Sequence, residues 1–203
     1  MNKLNNVVLK GILRDIEPSH SIGDLKFSKA TLITQRTDGR EDTINLKFKS
    51  YSNKYKDGSV VELVGNVRSF SSKVSEDKNK VLIYVFTYFD IPEYEVETNN
   101  EVRIDGRICK MQPLRQSSNG KHSSHFILAN NLVSGDNGKR LNSYIPCIAW
   151  GKVAKEISKL SVSDKIEIVG ELHSREHKKV HPDGEIEFRV AHELLVKEFK
   201  VVE

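Results

Sequence analysis

The stretch Asn100-Glu101-Val102-Arg103-Ile104-Asp105-Gly106-Arg107-Ile108 decides the fold, because the chain carries it twice. At a shift of 95 residues it lines up with Asn5-Asn6-Val7-Val8-Leu9-Lys10-Gly11-Ile12-Leu13. A second match, at a shift of 105, joins Val61-Glu62-Leu63-Val64-Gly65-Asn66-Val67 to Ile166-Glu167-Ile168-Val169-Gly170-Glu171-Leu172. Between them, Phe27 and Ala30 answer Phe126 and Ala129. Self-similarity of this kind marks one structural unit in two copies. Growth of the shift from 95 to 105 gives the second copy ten extra residues in its middle.

Outward from these matches, the first copy spans residues 1–90 and the second 99–203. The connector, residues 91–98, carries three glutamates. Eight residues reach at most about 28 Å, so the copies must lie close together.

The hydrophobic period of the second copy is two: Val102, Ile104 and Ile108 alternate with Arg103, Asp105 and Arg107, and Ile186, Phe188 and Val190 with Glu187 and Arg189. That is the mark of half-buried strands. With residues 125–131, 143–150 and the stretch around Ile166–Leu172 the count reaches five. Only Lys152–Leu160 changes period, placing Val153, Ile157 and Leu160 on one helical face. The expected fold is all-β with one short helix: two tandem five-stranded Greek-key barrels of the oligonucleotide/oligosaccharide-binding (OB) type, with glycines where strands one and four must bend. In the first copy residues 52–58 are too few for the helix, and a turn is expected instead.

Composition agrees with a folded chain. Of 203 residues, 37% are hydrophobic and 30% charged, with 12 Gly and 5 Pro, which excludes disordered and collagen-like classes. The longest apolar run, Val81–Phe86, is far short of the roughly 18 residues a membrane helix needs. The N-terminus lacks the pattern of a secretory signal, so a cytoplasmic, nucleoid-associated location is expected. Cys109 and Cys147 are too few for a disulfide framework, and both are expected as buried thiols. A formal net charge of +4 names no partner, although residues 98–203 hold six of the seven histidines and the larger basic excess.

Ser143–Trp150 is apolar on both faces. Ile145, Cys147 and Ala149 suit a barrel interior, which turns Tyr144, Ile148 and Trp150 outward. Six residues apart on one strand, Tyr144 and Trp150 stand about 20 Å from each other, a spacing for separate bases of an extended single strand. Arg103 and Arg107 of strand one and His173, Arg175 and His177 of strand four are expected on the same surface. Arg115 and Lys121 extend it in one loop, and Lys178 and Lys179 in another. In the first copy the corresponding candidates are Lys47, Lys49 and Tyr51 on strand three, with Arg68 and Phe70 on strand four. Charge there replaces most of the rings, and two readings stay open: phosphate contact or an assembly surface.

No catalytic or cofactor signature is present. His173, His177 and His181 are spaced as helical metal ligands would be, but four residues along a strand cover about 13 Å, too far to share an ion. There is no phosphate-cradling Gly-rich loop or H-E-x-x-H pattern. A non-enzymatic role without cofactor or metal is expected.

The second copy resembles the bacterial single-stranded DNA-binding protein family over about residues 99–200. The resemblance rests on Asn100–Ile108, Pro113-Leu114-Arg115 through Asn119-Gly120, Phe126–Ala129, Ala149-Trp150-Gly151-Lys152-Val153-Ala154 and Val169–Arg175. It implies single-stranded DNA as partner, with Trp150 and Tyr144 as stacking rings and His177 where another ring is usual. It further implies roles in replication, recombination or repair, and a two-barrel chain that reaches four barrels by forming a homodimer. The family's acidic tail has no counterpart before Glu203, which sets partner recruitment apart. A primosome-type assembly factor and an RNA-binding protein are the alternatives.

Overall fold

The structure is a computed structural model that describes residues 4–50, 55–75, 78–88, 98–134, 139–180 and 184–202. The first five strands are β1 (Asn5–Ile22), β2 (Leu25–Gln35), β3 (Glu41–Lys49), β4 (Val60–Ser75) and β5 (Lys78–Thr87). Then come β6 (Asn100–Met111), the two-residue β7 (Arg115–Gln116), β8 (His122–Ser134), β9 (Lys139–Trp150), helix α1 (Gly151–Ile157), β10 (Lys165–Val180) and β11 (Ile186–Val201).

Strand pairing closes two circuits. The first runs β1–β2–β3–β5–β4 and back to β1, antiparallel throughout except for β3–β5. The second runs β6–β8–β9–β11–β10 and back to β6, with β9–β11 its parallel pair. Leu9, Leu32, Ile44, Leu63 and Val85 fill the first interior, and Ile104, Leu128, Ile145, Ile166 and Leu194 the second, all buried. Closure requires close backbone approach at the bend of each fourth strand. A Cβ on Gly65 would lie 2.5 Å from the Phe86 carbonyl oxygen, and one on Gly170 would lie 2.2 Å from that of Leu195.

Helix α1 is shorter than its sequence pattern. Ala154 and Ile157 are fully buried, whereas Leu160 lies beyond the helix in a turn whose amide donates to the Ile157 carbonyl at 2.9 Å. In the first circuit residues 55–59 form the expected turn, closed by Ser59 N–H to the Lys56 carbonyl at 3.0 Å. The connector lies outside the described residues up to 97. Cys147 is buried as expected, but Cys109 is exposed. It is the extra residue of a β-bulge between the pairs Ile108↔Leu128 and Lys110↔Ile127, and a bulge shifts the inside–outside alternation by one.

The circuits meet along β1 and β6, antiparallel, with Val7 opposite Val102. Those two valines are equivalent in the repeat, so the seam has a local twofold centred on them. Its polar contacts obey the same relation. The buried Asn5 donates to the Val67 carbonyl (2.9 Å) and accepts from the Val67 amide (2.8 Å). Asn100 does the same with Leu172, at 2.6 and 3.0 Å. Farther out, Ser174 Oγ accepts from the Thr43 amide (2.9 Å), and Ser69 Oγ from the Tyr144 amide (2.7 Å). Buried polar groups satisfied in this way hold the two circuits in one register.

Candidate nucleic-acid interface

Trp150 is the last residue of β9, and Gly151 follows in the left-handed region (φ 60°), turning the chain into α1. This leaves the indole on the outer face, 38% exposed, at the side of an open groove of about 700 Å3. Lys121 sits in a turn that Gly120 permits (φ 79°) and carries its ammonium over the Trp150 ring, 5.0 Å from the centroid. Arg115, Ser123 and Trp150 stand in one cross-strand row over β7, β8 and β9. Ile148 departs from expectation. It faces outward by alternation but is only 5% exposed, because it forms the groove floor between His125 and Leu195.

Tyr144, at 47% exposure, lies elsewhere on β9, where its amide meets Ser69 of the first circuit. It does not line the Trp150 groove. The two rings therefore do not share one groove.

Of the basic candidates, Arg175 and His173 do reach the groove. His173 is half-buried with Nε2 3.1 Å from Glu171, and burial pushes its pKa down, with the carboxylates of Asp42 and Glu171 opposing. It forms part of the groove wall. His177 and Lys178 are exposed farther along the β10–β11 hairpin, on opposite faces. The Lys178 face also carries Phe188, 72% exposed. Arg103 and Arg107 lie away from the Trp150 groove. Arg103 pairs with Glu101 at 2.7 Å beside Val169 and Phe199, and Arg107 donates to the Ser163 carbonyl at 2.8 Å. Tyr51 and the Lys179 side chain lie outside the described residues.

The groove has a wall that sequence reasoning missed. Arg36 and Arg40 come from the β2–β3 turn of the first circuit and Glu41 from the start of β3. Arg36 is held by Asp42, whose side chain is fully buried and also accepts from the Ser174 amide at 2.6 Å. Burial pushes the Asp42 pKa up, but the hydrogen bonds from Arg36 and Ser174 outweigh it and hold the carboxyl below its ordinary value.

The outer face of the first circuit is richer in rings than expected. Lys47 lies 4.6 Å from the Tyr84 centroid and 5.9 Å from that of Phe70, and Arg68 lies 4.1 Å from Phe86. Tyr88 meets Phe86 edge-on at 5.4 Å, and His20 stacks on Phe27 at 4.6 Å. Lys49 is half-buried opposite Phe27. Burial, and Lys29 second, lowers the Lys47 pKa. The signal was legible: Tyr84, Phe86 and Tyr88 alternate with the buried Ile83, Val85 and Thr87. Among the described residues no group of three or more His, Cys, Asp or Glu could hold a metal, and no helix is long and apolar enough to cross a membrane.

Comparison with known proteins bears on this geometry. A model of the single-strand binding protein family matches residues 99–202. The wild-type single-stranded DNA binding protein from Thermus aquaticus is similar in structure, with a TM-score of 0.73 and 16% identity over 100% of this chain and 95% of that one. A deletion variant of the same protein gives 0.71, also at 16% identity, over 100% and 96%. At that identity the likeness bears on fold. No curated protein sequence matches the chain.

Proposed function

The chain belongs to the single-strand binding protein family and binds single-stranded DNA, and we propose that it does so without reading sequence, by stacking bases on exposed rings and pairing phosphates with Lys and Arg. The carrying observation is Trp150: a half-exposed ring beside an open groove, with Lys121 over it and Arg175 beside it. Stacking on such a ring is worth about 1–3 kcal/mol per base and tolerates any base, because each has a π-face.

The rings of the first circuit weigh against an assembly-only role for residues 1–90. Lys47, Arg68, Phe70 and Tyr84 form a second face of the same chemistry. We assign both copies to DNA, residues 1–90 and 99–203, in replication, recombination or repair on the nucleoid. A homodimer with four barrels is part of this reading, supported by the open apolar groove of about 380 Å3 beside Val169 and Phe199 across β6, β10 and β11.

Trp150 is the single tryptophan of the chain, so its fluorescence reports the site directly. Titration with poly(dT) should quench it, and Trp150→Ala should weaken binding. Emission unmoved by saturating DNA would reject the stacking role. Competition between oligo(dT) and oligo(U) tests the RNA alternative, which is supported if oligo(U) wins.

A further inference from the structure

We propose that Arg40, carried by the first circuit, is a phosphate-binding residue of the second circuit's Trp150 groove, held in reserve by Asp38. The proposal rests on the DNA-binding reading and adds a residue from outside the segment that matches the family.

The β2–β3 turn is tight: the Arg36 amide donates to the Arg40 carbonyl at 2.8 Å, and Gly39 takes a φ of 83°. Asp42 anchors its base by pinning Ser174 of β10. That anchor holds the turn at the groove that Trp150, Lys121 and Arg175 also line. A volume of about 700 Å3 lies within the range that holds drug-sized ligands, enough for a nucleotide unit.

The two arginines of the turn differ in availability. Arg36 is 14% exposed and committed to the buried Asp42. Arg40 is 71% exposed, and its partner Asp38 is 47% exposed. Asp38 accepts from Arg40 Nε at 2.9 Å and Nη2 with one oxygen, while the other accepts from the Arg40 amide at 3.1 Å. Exposed pairs of this kind contribute little, and where Asp38 gives both guanidinium donors a single oxygen, a phosphate offers one oxygen to each and more charge. A strand entering the groove therefore takes Arg40 from Asp38. The groove also holds Glu41, Glu176 and Glu193, which makes an extra cation at its rim matter for an anionic ligand.

The test is an oligo(dT) titration of the full chain, read by Trp150 quenching across a salt series. Arg40→Ala should raise Kd several-fold and make the log Kd versus log salt slope shallower by about 0.7, the value for one phosphate on a single strand. Asp38→Asn keeps the main-chain acceptor and removes the charge, and it should tighten binding. Lys56→Ala, an exposed lysine at the β3–β4 turn, controls for net charge and should leave the slope in place. Equal losses in Arg40→Ala and Lys56→Ala, or an unchanged slope in Arg40→Ala with quenching intact, overturn the proposal alone. Absence of quenching in the unsubstituted chain overturns the stacking reading and this inference with it.

Discussion

The two ends of the seam between the circuits are built around equivalent serines and differ in what faces them. At one end Ser69 lies against Ser143, its amide donating to Ser143 Oγ at 3.3 Å, and nothing charged takes part in that bond. At the other, Ser174 meets Asp42, a fully buried carboxylate that also holds Arg36. The same backbone relation thus supports a light polar contact in one place and a buried ionic hub in the other. Duplication fixes where strands meet, and single side chains then decide how strongly.

The largest effect expected from this difference is on stability. Asp42→Ala leaves the Arg36 guanidinium nearly buried without its partner and should cost about 3–5 kcal/mol in denaturant unfolding. Ser143→Ala removes one hydrogen bond and should cost about 1 kcal/mol. Equal losses at the two ends would break the comparison. Next in size is the contrast between the binding faces. Trp150→Ala should weaken oligo(dT) binding by about 1–3 kcal/mol, and Tyr84→Ala by a similar amount if the first face stacks a base, with Trp150 quenching retained. A Tyr84→Ala chain with unchanged affinity would return the first face to an assembly role.

A smaller effect follows from pH. Burial lowers the pKa of His192, which donates to the Thr43 carbonyl at 2.7 Å, and of His173, while Asp42 is held low by its partners. All three groups therefore bind protons more readily when unfolded. Their stabilisation is complete above the ordinary histidine range. It declines first as pH falls below about 6.5, where unfolded histidines charge, and again in acid as Asp42 is protonated. His192→Gln should flatten the first decline in a series of urea midpoints. A midpoint that rises on acidification would contradict the seam's electrostatics. The smallest effect is on salt dependence: Arg175→Ala should reduce the slope by about 0.7 and Arg103→Ala by nothing measurable, since only Arg175 borders the groove.

Much of the fold was readable because strands advertise themselves by alternation. Ile166–Leu172 behaves as its period requires, and Val102–Ile108 does so except at Asp105, which is buried. Alternation fails where it is interrupted or covered. The bulge at Cys109 turns an apparently buried thiol outward. Ile148 obeys the period yet is buried, since sequence does not show which side chains of neighbouring strands, here His125 and Leu195, flank an outward residue. Arg103 and Arg107 alternate correctly, but a sheet closed into a barrel has outward directions all round, so outward residues on different strands need not meet. Trp150 of β9, Arg175 of β10 and Lys121 of the turn before β8 line one groove, with β11 lying between β9 and β10. Asp42 was missed because its role depends on contact with Ser174, 132 positions away, and Arg36 and Arg40 because the groove they line is completed by residues of the second circuit, which no local pattern encodes.

The pairing of β1 with β6 also has a kinetic meaning. If the circuits were separate polypeptides, their adhesion would weaken with dilution, as any bimolecular complex does. Carried on one polypeptide, each keeps the other at a fixed effective concentration, so the paired arrangement persists at trace abundance and reassembles after a local opening without a search for a mate.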